Sequence, residues 1–163
     1  EDCPLAKDLT IIVLRDDCDS PELEEIARQK IAERFTIGQE IRLDGAARER
    51  VIQRTRGGNW NEKGREETIG PTLAFLCRNA PEPGPLPDNM SAAKVAKRYP
   101  QVHHTDVLIK RAIRAAINRV APTSFNRAAI HATDNPMEAV KTLRAILDDK
   151  ARAFLEDFAK GPR

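Results

Sequence analysis

The run LTIIVL, Leu9 to Leu14, is almost wholly apolar and rich in β-branched residues. It offers water no polar face, so it reads as a buried strand. The run stops at Arg15-Asp16-Asp17-Cys18-Asp19. Ser20 then supplies a helix cap, Pro21 a first-position proline, and Glu22, Glu24 and Glu25 sit at the positive end of the helix. Leu23, Ile26, Ala27, Ile31 and Phe35 recur at helical spacing, which predicts an amphipathic helix reaching about Phe35. TIGQEIRL alternates Ile37, Ile41 and Leu43 with polar residues and predicts a half-exposed strand. A short helix follows near Ala46–Gln53, led in by Asp44.

TRGGNWNEKGREET is polar and glycine-rich and reads as a surface loop with about one helical turn. GPTLAFLC supplies a further strand. Pro81, Pro83, Pro85 and Pro87 then stand at alternate positions, which predicts an extended linker. Ser91 caps a helix to about Lys97. Thr105 or Asp106 caps a longer one to about Val120, and Pro122 follows. RAAI is a short strand into His131. Asn135, Pro136 and Glu138 combine a cap, a first-position proline and a capping-box glutamate, starting a helix to about Leu147. A last helix covers roughly Ala151–Phe158. Strands separated by helices in this order predict one sheet covered by helices, an α+β domain.

A chain of 163 residues suits a single domain with its own core. An apolar fraction of 40% with 32% charged residues fits a globular chain rather than a disordered one. Net charge is +2, which gives no global argument for nucleic acid or a membrane surface. No apolar run approaches the roughly 18–20 residues of a spanning helix. The acidic start, EDCPLAKDL, does not resemble a signal peptide. The absence of an initiator Met leaves open that the chain is part of a longer protein. Cys3, Cys18 and Cys77 lack metal-ligand spacing, and their odd number argues for a reducing compartment, hence a cytoplasmic location.

Three places can carry chemistry. His131 precedes Thr133, Asp134 and a helix N-terminus, where unpaired N–H groups favour phosphate. It can act as nucleophile or general acid–base, or it can be a structural histidine bonded to a backbone carbonyl. Lys110, Arg111 and Arg114 form a basic stripe on one helix, either neutralising phosphates or facing solvent. The acidic turn Arg15–Asp19 follows a strand, where carboxylates can hold Mg²⁺ or merely lead into a helix. His103 and His104 are adjacent and should point apart, which makes them a poor metal pair. Trp60, in a polar loop, can stack on a base or pack locally.

The stretch AAIHATDNPMEAVKTL resembles the active-site segment of nucleoside diphosphate kinases. That segment runs strand, catalytic His, small residue, Ser/Thr, Asp, then a helix with an Ala; His131, Ala132, Thr133, Asp134 and Ala139 stand in those places. LTIIVLRDD is similar to the family's first strand and Lys-Pro-Asp turn, with Arg15 for the lysine, Asp16 for the proline and Asp17 for the aspartate. ELEEIARQKIAERF and TIGQEIRLDGAARERVI follow as the next helix, strand and helix. Gly70-Pro71 matches a strand that begins Gly-Pro. IKRAIRAAINRVAP resembles the helix bearing a phosphate-binding arginine, which falls on Arg114.

The resemblance implies a ferredoxin-like antiparallel four-stranded sheet covered by helices. It implies γ-phosphate transfer between nucleoside tri- and diphosphates through a phosphohistidine at His131. Arg15, Arg114, Thr133 and Asp134 would serve the phosphates and Asp17 would hold Mg²⁺. Trp60 is nearest in order to the base-stacking aromatic. The family also implies a homo-oligomer. The chain departs from the pattern at Val120 for a threonine, Ala128 for an asparagine and Thr142 for a glutamate. The segment before His131 is short, and about 78–104 reads as an insertion. These departures motivate a second reading, a domain of this fold that binds nucleotide or protein without turnover. A third is a Mg²⁺-dependent nuclease-like domain on the Arg15–Asp19 turn.

Overall fold

A computed structural model describes residues 2–15, 18, 20–55, 70–121 and 129–162. Strand β1 is Leu9–Arg15, and all seven of its residues are buried. Its side chains alternate between two apolar clusters, as period-two geometry requires. Ile12 and Leu14 join one cluster with Leu73, Phe75 and Cys77. Ile11 and Val13 join the other with Ala74 and Leu76. A strand apolar on both faces must be covered on both, and helices supply the two covers.

In chain order, β1 is followed by α1 (Pro21–Ala32), β2 (Phe35–Arg42), α2 (Gly45–Arg54) and β3 (Pro71–Asn79). Then come α3 (Ala92–Arg98), α4 (Lys110–Val120), β4 (Ile130–Ala132), α5 (Pro136–Leu147) and α6 (Ala151–Ala159). The four strands form one sheet in the order β2-β3-β1-β4. Every neighbouring pair is antiparallel. Thus β1 and β2 run parallel with β3 between them, and β3 and β4 run parallel with β1 between them. This split arrangement is compatible with a ferredoxin-like fold. Helices α1 and α4 cover one face through Leu23, Ala27, Ile31, Ile113 and Ile117. Helices α2, α5 and α6 cover the other through Val51, Val140, Leu143 and Leu155.

Several boundaries differ from the sequence expectation. Helix α1 stops at Ala32, and Phe35 opens β2 instead, paired with Asn79. Phe35 is buried against the same cluster as α1, so its apolar character served the core through a strand. The long helix ending at Val120 is preceded by a 3-10 turn, Thr105–Ile109, and its cap is His104 rather than Thr105 or Asp106. Val120 is 46% exposed, one turn beyond the last buried residue of α4. β3 extends through Asn79, so the proline-rich stretch begins at Ala80.

That stretch has no regular element before α3, but it is held down. Arg34 pairs with Asp106 at 2.6 Å and donates to the Pro85 carbonyl at 2.7 Å. The Gly84 N–H donates to the same Asp106 oxygen at 2.9 Å. A Cβ at Gly84 would meet Arg34 Nη1 at 2.6 Å, so a larger residue there would make the guanidinium shift. All three cysteines are free. No described helix is long and apolar enough to cross a membrane.

Candidate functional site

Strand β4 is three residues long and lies at a sheet edge against β1, with His131 opposite Val13. Ile130 and Ala132 point into the α1/α4 cluster. Alternation therefore turns His131 toward the face that Val13 shares with α5. The pairing continues past the strand. Thr133 N–H donates to the Ile11 carbonyl at 3.0 Å, and Ile11 N–H donates to Thr133 Oγ1 at 3.0 Å. The Thr133 hydroxyl thus accepts as a strand carbonyl would, and the residue is buried.

Helix α5 begins as its sequence predicts. Glu138 N–H donates to Asn135 Oδ1 at 3.0 Å. Glu138 returns the contact, accepting from Asn135 Nδ2 at 3.5 Å and from the Asp134 N–H at 3.1 Å. This is a capping box one residue wider than usual. Glu138 is thereby held at the helix start, with no hydrogen bond to the imidazole among the described residues.

Asp134 is the hub of the turn. Its Oδ1 accepts from Lys110 Nζ at 3.1 Å and its Oδ2 from Gln101 Nε2 at 3.1 Å. Its carbonyl accepts from the His103 N–H at 2.8 Å. Asn135 Nδ2 donates to the Gln101 carbonyl at 3.2 Å. The end of the insertion is therefore fastened three residues after His131. Gln101 and the Lys110–Asp134 pair were not expected as members of this site. The spacing of Lys110 and Arg114 was legible as a basic stripe. Its partner, 24 residues further on, was not.

Arg114 lies one helical turn beyond Lys110 and donates from Nη2 to the Ile130 carbonyl at 3.0 Å. That carbonyl faces outward from an edge strand, so the guanidinium closes the edge just before His131. Among the described residues, Arg114 Nε is buried with no hydrogen-bond partner. Arg15 ends β1, wholly buried, with its N–H donating to the Ala129 carbonyl at 3.2 Å. Asp17 and Trp60, expected at Mg²⁺ and the base, lie outside the described residues. His103 is exposed, whereas the His104 ring bridges the Ala80 carbonyl and the Asp106 N–H. The pair diverges, as adjacent positions should.

The His131 ring has no hydrogen bond among the described residues. Burial pushes its pKa down to about 4. Within that net shift burial is the largest cause, the Lys110 cation adds to it, the Asp134 carboxylate opposes, and Arg114 adds a smaller push downward. At neutral pH the imidazole is uncharged, with an unshared pair on one ring nitrogen. Among the described residues no three His, Cys, Asp or Glu side chains gather as metal ligands. The Asp134 carboxylate is committed to Lys110 and Gln101.

Large cavities lined by described residues lie elsewhere. One of about 580 Å³ runs between α1 and α4 past Ile26, Ala116 and Val120. Another of about 530 Å³ lies between the two ends of the chain, beside Pro4, Arg78 and Phe158. Comparison with family models, with curated proteins and with solved structures returned no match.

Proposed function

We propose that the chain is a phosphotransferase of the nucleoside diphosphate kinase type, with His131 as the nucleophile. The observation that carries the reading is a neutral imidazole on an edge strand with two cations anchored on either side of it in sequence. Lys110 is tied to Asp134 beyond His131, and Arg114 to Ile130 before it. An uncharged ring nitrogen attacks the γ-phosphorus of a nucleoside triphosphate. The N–P bond forms as the bond to the β,γ-bridging oxygen breaks, and the diphosphate leaves with the electron pair. A second nucleoside diphosphate then takes the phosphoryl group and restores the imidazole. The cations stabilise charge on the transferring group.

The sheet order supports this reading only at the level of fold, and one fold hosts many functions. A second reading, binding without turnover, is favoured by one observation. Thr133, Asp134 and Glu138 are all engaged in holding the turn, and no described residue orients the ring. Exchange of phosphate between a labelled triphosphate and an unlabelled diphosphate separates the two. Exchange that disappears in His131→Ala supports the phosphotransferase. Nucleotide binding by calorimetry with no exchange would replace it with the second reading.

A further inference from the structure

Lys110 is the first residue of α4, and its side chain is 16% exposed. Its ammonium carries three donors, and one is spent on Asp134 Oδ1 at 3.1 Å. Asp134 does more than neutralise it. The same carboxylate binds Gln101, the residue's carbonyl holds the His103 N–H, and its N–H is fixed by Glu138. Backbone and side chain are thus pinned from the insertion, from α4 and from α5. A carboxylate held by so many partners cannot swing to meet a ligand. It can fix a lysine whose long stem would otherwise sample many rotamers.

We propose that Lys110 is a phosphate-contacting cation of the His131 site, and that Asp134 is the positioning residue that holds it there. Its place in the sequence of contacts is the ground for this. Along α4, Lys110 and Arg114 are four residues apart; along the chain at β4, their anchors Asp134 and Ile130 are also four apart, and His131 lies between. Both cations are therefore fixed along the edge of β4, one at each end, and a polyphosphate lying along that edge to the imidazole would pass them both. Of the charged groups acting on His131, Lys110 acts most strongly. This assignment rests on the phosphotransferase reading for its chemistry. It makes a separate claim about what binds the phosphate chain, and it reassigns Asp134 from ligand contact to support.

Calorimetric binding of tripolyphosphate tests the claim without turnover, alongside labelling of the protein by γ-labelled ATP. Lys110→Met should weaken tripolyphosphate binding by roughly 10- to 100-fold, the span of one charge-assisted hydrogen bond. Lys110→Arg should restore most of it, and Arg119→Met, a cation further along α4, should leave it unchanged. Asp134→Asn should weaken binding less than Lys110→Met, because the lysine remains but is no longer held. Lys110→Met/Asp134→Asn removes the pair together, so that no half-buried carboxylate is orphaned, and should bind as weakly as Lys110→Met.

Wild-type binding that depends on Lys110, without labelling, would keep this assignment and overturn the phosphotransferase reading. Labelling of wild type together with full binding by Lys110→Met would overturn this assignment alone. No tripolyphosphate binding by wild type would overturn it as well.

Discussion

At the scale of single residues, His131 is both the chemical candidate and a titratable liability. Its folded pKa of about 4 lies below the ordinary value of about 6.5. Between those values the unfolded chain binds the extra proton, so protonation favours unfolding. The stability is fully present above about pH 6.5 and is lost as pH falls toward 4. Urea titrations at pH 7 and pH 4.5 should show wild type losing about 2–3 kcal/mol more than His131→Gln, which does not titrate. Equal losses would place His131 in ordinary solvent.

The sequence showed which local signals surround this histidine, because a cap, a proline and a glutamate sit within four positions of one another. It did not show what Asp134 does, because Gln101 and Lys110 approach it from 33 and 24 residues away. Nor could it show that the Thr133 hydroxyl accepts from the Ile11 N–H across 122 residues.

At the scale of elements, three helix starts were legible, whereas the start before α4 and the transitions between elements were not. Ser20, Ser91 and Asn135 each accept a backbone N–H at the start of the helix they precede. Phe35 fits a helical period and a strand equally well, and only pairing with β3 decides between them. The Asn135 cap also holds Gln101, whereas among the described residues the Ser20 side chain holds only the Leu23 N–H. Asn135→Ala should therefore cost more stability than Ser20→Ala, with about 1 kcal/mol expected for a simple cap, measured by chemical denaturation.

The proline-rich strap read as a linker because alternate prolines exclude helix and inner strand. Its docking depends on Arg34 and Asp106, neither within the strap. Asp106 is 1% exposed and accepts from both Arg34 and Gly84. Arg34→Met leaves that carboxylate buried with its main cation gone and should destabilise by about 3 kcal/mol. It should also speed amide exchange at Gly84, where a free linker would already exchange fast.

At the scale of the whole molecule, the architecture follows from one strand. β1 is buried along its entire length, so the sheet needs helices on both faces, and the chain supplies α1 and α4 to one and α2, α5 and α6 to the other. That much was present in LTIIVL and in the alternation of strands and helices. The strand order was not, because antiparallel pairing of β1 with both β3 and β4 depends on contacts more than 50 residues apart.

Leu143, fully buried on α5 beneath β1, should lose roughly 2–5 kcal/mol on truncation to Ala, read as a lower urea midpoint at unchanged slope. The same packing seats the turn that carries Asp134, so the fold and the site share their support. The central claim is that His131 becomes phosphorylated. The direct measurement is mass mapping of peptides after incubation with a nucleoside triphosphate at neutral pH. An acid-labile, alkali-stable phosphoryl group on the peptide carrying His131, lost in His131→Ala and discharged by added nucleoside diphosphate, is the predicted result. An unmodified His131 peptide under conditions where the protein binds the nucleotide would contradict it.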